Sequence, residues 1–237
     1  MLCFTQRNEG CEVDQNLRTI YEHMINLGCG SLRHANFLGH FYDMTNDYWN
    51  ELAVLQAAHA GEIFLKARLA QEHPLLIFDT IPRSTSKHVN SEGLLNFETL
   101  LQDGRTIDYS ELPEKVWAAT GLKFTPDQLR LFKEFGYLRN KIQHFASPNE
   151  DIQSQITNYI YGFIDPFINS QWGLYAIDFC DDTEPYENLV PVLAYRDVEF
   201  LIPPGLGANV MRLIDDGSPA YIRKMRKQAI EKGYIPS

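Results

Sequence analysis

The sequence predicts a mainly α-helical fold: a helical bundle reaching to about residue 170, followed by a small, irregular α/β appendage. Three observations carry that prediction. Apolar residues recur at steps of three and four, most clearly Leu131, Phe135, Leu138, Ile142 and Phe145. Capping residues, glycines and prolines punctuate these stretches where helices should open and close. Past residue 170 the periodicity gives way to a β-prone run broken by prolines.

Taken in order, residues 1–13 lack periodicity and form an arm. Asp14 or Asn16 can cap a helix through Leu17, Ile20, Met24 and Leu27, with Gly28-Cys29-Gly30 as its stop. Ser31 can cap the next, carrying Leu32, Phe37, Leu38 and Phe41. Thr45 or Asn46 opens a long helix to about Glu72, with Pro74 just beyond. Asp79 to Asn90, with Pro82 and several Ser and Thr, is a loop. Short helices follow over Ser91 to Gln102 and Ser110 to Thr120, closed by Gly121. Thr125-Pro126-Asp127 then joins a capping hydroxyl to a proline at the first helical position, opening a helix that ends near Ser147-Pro148. Asn149 can cap an aromatic-rich helix (Tyr159, Tyr161, Phe163) that Pro166 kinks or breaks. Leu189 to Ile202 is β-prone, Pro203-Pro204-Gly205 closes it, and a basic helix over Pro219 to Lys232 ends the chain. The expected organisation is an arm (1–13), a bundle (14–170) and an appendage (171–237) with an acidic loop, short strands and a basic helix.

Composition narrows the function classes. At 44% hydrophobic and 12% aromatic over 237 residues, the chain can bury a core and is not a disordered type. No window approaches eighteen uncharged apolar residues, so no membrane partner is expected. The first residues lack a basic start followed by an apolar run, so a cytoplasmic location is expected. Cys3, Cys11, Cys29 and Cys180 form no CxxC pair, so reduced thiols and neither metal nor cofactor are expected. The formal charge of −10 argues against a general electrostatic binder of nucleic acid. That charge is uneven, however: Asp178 to Glu187 is acidic, whereas Arg223, Lys224, Arg226, Lys227 and Lys232 make the tail basic.

The chemistry-bearing stretch is Leu138-Arg139-Asn140-Lys141-Ile142-Gln143-His144-Phe145. With the apolar stripe facing a core, Asn140 and His144 fall together on the opposite side, one turn apart, on the same outward strip as Lys133 and Gly136. Arginine offers a permanent planar cation for a phosphate, and histidine can move a proton near neutral pH. Arg139, five positions before His144, lies about 140° away on a straight helix, so the two converge only if the arginine reaches round or the helix distorts. On spacing alone, a solvated helix face with a histidine near the helix C-terminus explains the same residues.

Arg139-Asn140 followed by His144, with Tyr137-Leu138 before and Phe145 after, resembles the signature of HEPN domains (higher eukaryotes and prokaryotes nucleotide-binding). His59-Ala60-Gly61-Glu62-Ile63-Phe64-Leu65-Lys66 resembles the polar helix of many such domains, and the likeness covers roughly residues 14 to 170. The resemblance implies an up-and-down helical bundle that dimerises so that both motifs line one cleft. It implies a metal-independent endoribonuclease of the toxin–antitoxin or anti-phage defence kind, with RNA as substrate and an antitoxin or defence-system protein as partner. In that role His144 would transfer the proton, Arg139 would hold the scissile phosphate, and Asn140 would orient an oxygen or the histidine. Glu62, Lys66 and Lys133 would support them, Glu62 as a cleft acid orienting Arg139. Ala146 stands where antitoxin-modified members carry a tyrosine, so silencing by that route is not expected.

Plainer readings stand beside these. Glu62 and Lys66, four apart, fit a surface ion pair, and Lys133 fits a solvated lysine. The alternative function is a non-catalytic HEPN-like binding or assembly module that recognises a protein or nucleotide. A small-molecule enzyme with its pocket between bundle and appendage is a third idea, without a residue set to argue for it.

Overall fold

The computed structural model describes residues 15–41, 45–82, 84–145 and 152–236. The expected arm, and the helix stop and start expected around Ser147-Pro148 and Asn149, lie outside them. The described residues are mainly helical, with one two-stranded sheet among them. The described residues of Met1–Met24 and Leu65–Leu122 form one compact unit, and those of Ile25–Phe64 and Lys123–Ser237 form a second. After the one-turn helix α1 (Gln15–Arg18), the division falls within helices α2 (Ile20–His40) and α3 (Trp49–Glu72).

The first unit contains the sheet, whose first strand overlaps the start of the loop expected over Asp79 to Asn90. β1 (Phe78–Thr80) pairs antiparallel with β2 (Arg105–Thr106). Asn96 caps α4 (Phe97–Asp103), accepting the Thr99 N–H at 3.1 Å. Gly121 closes α5 (Leu112–Thr120) at φ 74°, a left-handed position that glycine takes without steric cost. Leu100, Ile107, Leu112 and Val116 are buried beneath these elements.

The second unit is built on α6 (Pro126–Phe145), which begins as its sequence predicts. Thr125 Oγ1 accepts the Gln128 N–H at 3.2 Å, while Gln128 Oε1 accepts the Thr125 N–H at 2.9 Å, a reciprocal capping box. α7 (Ile152–Tyr159) runs through a π-turn (Ile160–Ile164) into α8 (Asp165–Trp172). Pro166 has no N–H to continue the α pattern, and the Asp165 N–H reaches Ile160 O, five residues back. The break expected at Pro166 is thus a widened turn. The aromatics of this helix form the core: Tyr159 stacks on Phe135 at 3.9 Å and 4°, and Phe163 lies 5.0 Å from Phe132.

Two expectations need correction. The helices expected on either side of Gly28-Cys29-Gly30 are one helix, α2. Gly28 is a packing residue, because a Cβ there would lie 2.7 Å from the Phe64 ring. Gly39 does the same for Ile156 at 2.7 Å, and a Cβ on Gly61 would overlap the Tyr159 hydroxyl. The α/β character expected of residues 171–237 is also overturned: their described part contains helices and no strand. Leu189 to Tyr195 belongs to α9 (Pro185–Tyr195), with Pro191 inside it. Leu189, Val190, Leu193 and Ala194 bury one helical face, which offsets the hydrogen bond lost at Pro191. α10 (Val210–Leu213) and α11 (Pro219–Glu231) follow, the latter with Ser218 as its cap.

Buried polar groups tie this C-terminal part into the second unit. Asn36 Nδ2 donates to Ala176 O (2.9 Å) and Phe179 O (2.6 Å), and Asn36 Oδ1 accepts from the Tyr161 hydroxyl (3.0 Å). The two Asp165 oxygens accept the Ala176 and Leu201 N–H groups, each at 2.8 Å. Burial, the dominant cause, raises Asp165 to about 7, against the opposing pull of these hydrogen bonds.

Candidate functional site

α6 buries Phe132, Phe135, Leu138 and Ile142, but Phe145 at the end of the expected stripe is 79% exposed. Gly136, expected on the outward strip, is buried. Lys133, Tyr137, Asn140 and His144 are all exposed. At 100° per residue they fall within about 60° of one another, and from Lys133 to His144 the strip runs about 16 Å. The Lys133 ammonium stands 6.0 Å over the Tyr137 ring.

Arg139 is bound on two sides. Its Nη1 donates to Asn140 Oδ1 at 3.1 Å, and its Nη2 lies 3.9 Å from Glu62 Oε2 on α3. The first of these bonds turns the guanidinium toward the strip that holds Asn140 but does not bring it to His144. Asn140 belongs to the strip of His144, so the guanidinium reaches round the helix toward it. At 30% exposure the Arg139 side chain is restrained yet open to a ligand. Among the described residues His144 makes no hydrogen bond to Arg139 or Glu62, and its ring sits 6.4 Å from that of Phe145. Arg139, Asn140 and Glu62 therefore converge, whereas His144 stands exposed one turn further on.

Lys66, expected on the surface with Glu62, is instead buried in the first unit, where it donates to Thr106 Oγ1 at 3.5 Å. Burial pushes Cys29 up to about 11 and Cys180 up to about 12, so both stay thiols at neutral pH and neither is a ready nucleophile. Asp178 accepts from Tyr186, His34 meets Asp181 at 2.7 Å, and Arg212 pairs with Glu187. Among the described residues no group of three His, Cys, Asp or Glu is placed to hold a metal ion. None of their helices is long and apolar enough to cross a membrane.

No family model matches the chain, and neither does any curated protein or solved structure. Function must therefore be argued from the side chains themselves.

The sequence analysis gave Tyr137 only as a flank of the motif, yet its 66% exposure on a strip with a cation and an amide suits it to stack on a flat ligand. It passed over the buried Asn36–His40–Thr157 group: His40 Nδ1 meets Asn36 O at 2.8 Å and His40 Nε2 meets Thr157 Oγ1 at 3.2 Å. The available signal was the four-residue spacing of Asn36 and His40 beside buried Leu32 and Ala35. Burial, the leading cause, lowers His40 to about 4, so this histidine is neutral and structural.

Proposed function

We propose that this protein is a metal-independent endoribonuclease of the HEPN type, a bundle of that kind acting on RNA in the cytoplasm as a homodimer. The observation that carries the reading is the Arg139 guanidinium, bound to Asn140 and facing Glu62, with exposed His144 one turn beyond Asn140. A guanidinium that is 30% exposed presents a planar cation where a phosphate can approach it. Exposed Tyr137 offers a face on which an unpaired base can stack, which is how single-stranded RNA is commonly held.

The step needs no external nucleophile. The ribose 2′-oxygen attacks phosphorus as its proton passes to a base, and the 5′-oxygen leaves as it takes a proton from an acid. The products are a 2′,3′-cyclic phosphate and a 5′-hydroxyl. His144 serves as one proton carrier, and a second copy across a twofold cleft serves as the other. Arg139 stabilises charge on the non-bridging oxygens, and Lys133 adds a phosphate contact further along the strip. A toxin or anti-phage role, with an antitoxin or defence-system protein as partner, follows from such an activity.

The test is cleavage of tRNA and mRNA with EDTA present, comparing wild type with His144→Ala and Arg139→Ala after both variants have been shown to be folded. Cyclic-phosphate ends from wild type alone support the reading. Absence of cutting by every form removes it. The net charge of −10 favours the second reading, a non-catalytic binding or assembly module. Binding of a protein or nucleotide that is unaffected by His144→Ala would select that one.

A further inference from the structure

The second unit holds a cavity of about 510 Å³, the size of a small-molecule site. It opens between α6, α7, the π-turn and the Arg196–Glu199 segment after α9. Phe135, Tyr161 and Val198 supply aromatic and apolar lining, and Asn158 adds an amide. Two arginines, Arg130 and Arg196, face three carboxylates, Glu134, Asp197 and Glu199.

The two arginines are not equivalent. Arg130 is matched by acids on its own helix, Glu134 at 3.2 Å and Asp127 at 3.6 Å. Among the described residues Arg196 has only a neutral partner: its Nη2 donates to Gln153 Oε1 at 3.2 Å. Its Nη1 is buried and makes no hydrogen bond among the described residues. A guanidinium stays charged in proteins, so this wall carries a cation without a matching acid and with an unmet donor. The carboxylates are oriented from behind. Asp197 Oδ1 accepts the Ser218 N–H at 2.8 Å, and Glu199 takes the Lys224 ammonium at 2.6 Å. A carboxylate can accept several hydrogen bonds, so both can receive more.

We propose that this cavity binds a small zwitterion of the α-amino-acid class, its carboxylate on Arg196, its ammonium on Asp197 and Glu199, and its side chain against Phe135, Tyr161 and Val198. A ligand carboxylate would draw the Arg196 side chain through a small rotation that frees Nη1, giving two parallel N–H···O bonds. Three carboxylates along one cavity disfavour a multiply charged phosphate, and a simple cation would leave Arg196 unmatched. The site is distinct from the Arg139–His144 strip and does not depend on the ribonuclease reading.

Isothermal titration and thermal shift of the full chain against the twenty free amino acids test this. The best ligand's N-acetyl and α-amide derivatives, AMP and inorganic phosphate serve as comparisons. At least one amino acid should bind at a stoichiometry of one and raise the melting temperature. Blocking either end should weaken binding at least tenfold. Arg196→Met should abolish binding with the far-UV spectrum unchanged, and Asp197→Asn should weaken it. Val198→Trp, which fills the cavity from a half-buried position, should abolish it too and decides the matter if Arg196→Met misfolds. The proposal is overturned if no free amino acid binds, if AMP or phosphate binds in preference, or if the folded variants bind as wild type does.

Discussion

The Arg139 guanidinium lies 3.9 Å from the Glu62 carboxylate, so the cation of the α6 motif faces an acid of α3. The same guanidinium also binds Asn140, which fixes its direction along the helix surface. A cation held from two sides loses less freedom on meeting a phosphate than a free surface arginine does.

Glu62→Gln tests this positioning role. Cleavage of RNA should slow by about tenfold, while His144→Ala should cost at least about a hundredfold. The urea midpoint of Glu62→Gln should shift by less than about 1 kcal/mol, because the pair is part-exposed and loosely spaced. Arg139→Lys should resemble Arg139→Ala in activity, since an ammonium lacks the planar fork. An unimpaired Glu62→Gln would show that the ion pair has no part in positioning.

Two helical glycines should respond in opposite directions to alanine. At Gly61 a Cβ would overlap the Tyr159 hydroxyl, and Tyr159 is fully buried on Phe135. Gly61→Ala should cost about 1–3 kcal/mol by chemical denaturation. At Gly30 a Cβ meets nothing within 4 Å, so Gly30→Ala should stabilise α2 by about 0.5–1 kcal/mol.

His40 and Asp165 should give stability opposing slopes with pH. His40 is lowered in the fold to about 4, so its contribution is complete above the unfolded value of 6.5 and is lost as pH falls through 4. Asp165 is raised from 3.8 to about 7, so its contribution is complete below 3.8 and is lost as pH rises through 7. Between pH 5 and 7 the two largely cancel. His40→Gln should therefore gain stability on going from pH 7 to 5, and Asp165→Asn should lose it. Urea unfolding at both pH values checks the signs.

Asn36→Ala should cost about 3 kcal/mol or more, since it strips partners from the Tyr161 hydroxyl and from the Ala176 and Phe179 carbonyls. Amide exchange should show faster opening at residues 174–180 than elsewhere in the second unit. Uniform exchange across that unit would mean that Asn36 does not anchor the segment.

Local signals in the sequence determined most of the helices. Thr125-Pro126 set the start of α6, Gly121 the end of α5, and Pro166 the interruption between α7 and α8, because each acts on its neighbours along the chain. The outward strip of Asn140 and His144 was also legible, since helical periodicity orients side chains without reference to anything distant. Other features depend on partners far away in sequence. Gly28 ends no helix because Phe64 packs against it, and Leu189 to Tyr195 is a helix because one of its faces is buried. Arg139 meets Glu62, and Lys66 is buried on Thr106, for the same reason. The cavity around Arg196 gathers residues from three stretches of chain, and no spacing along the sequence encodes that meeting. Short-range stereochemistry fixes where a helix begins and which way it faces. Only burial against distant residues decides whether a glycine breaks or packs, whether a β-prone run becomes helix, and which charges meet.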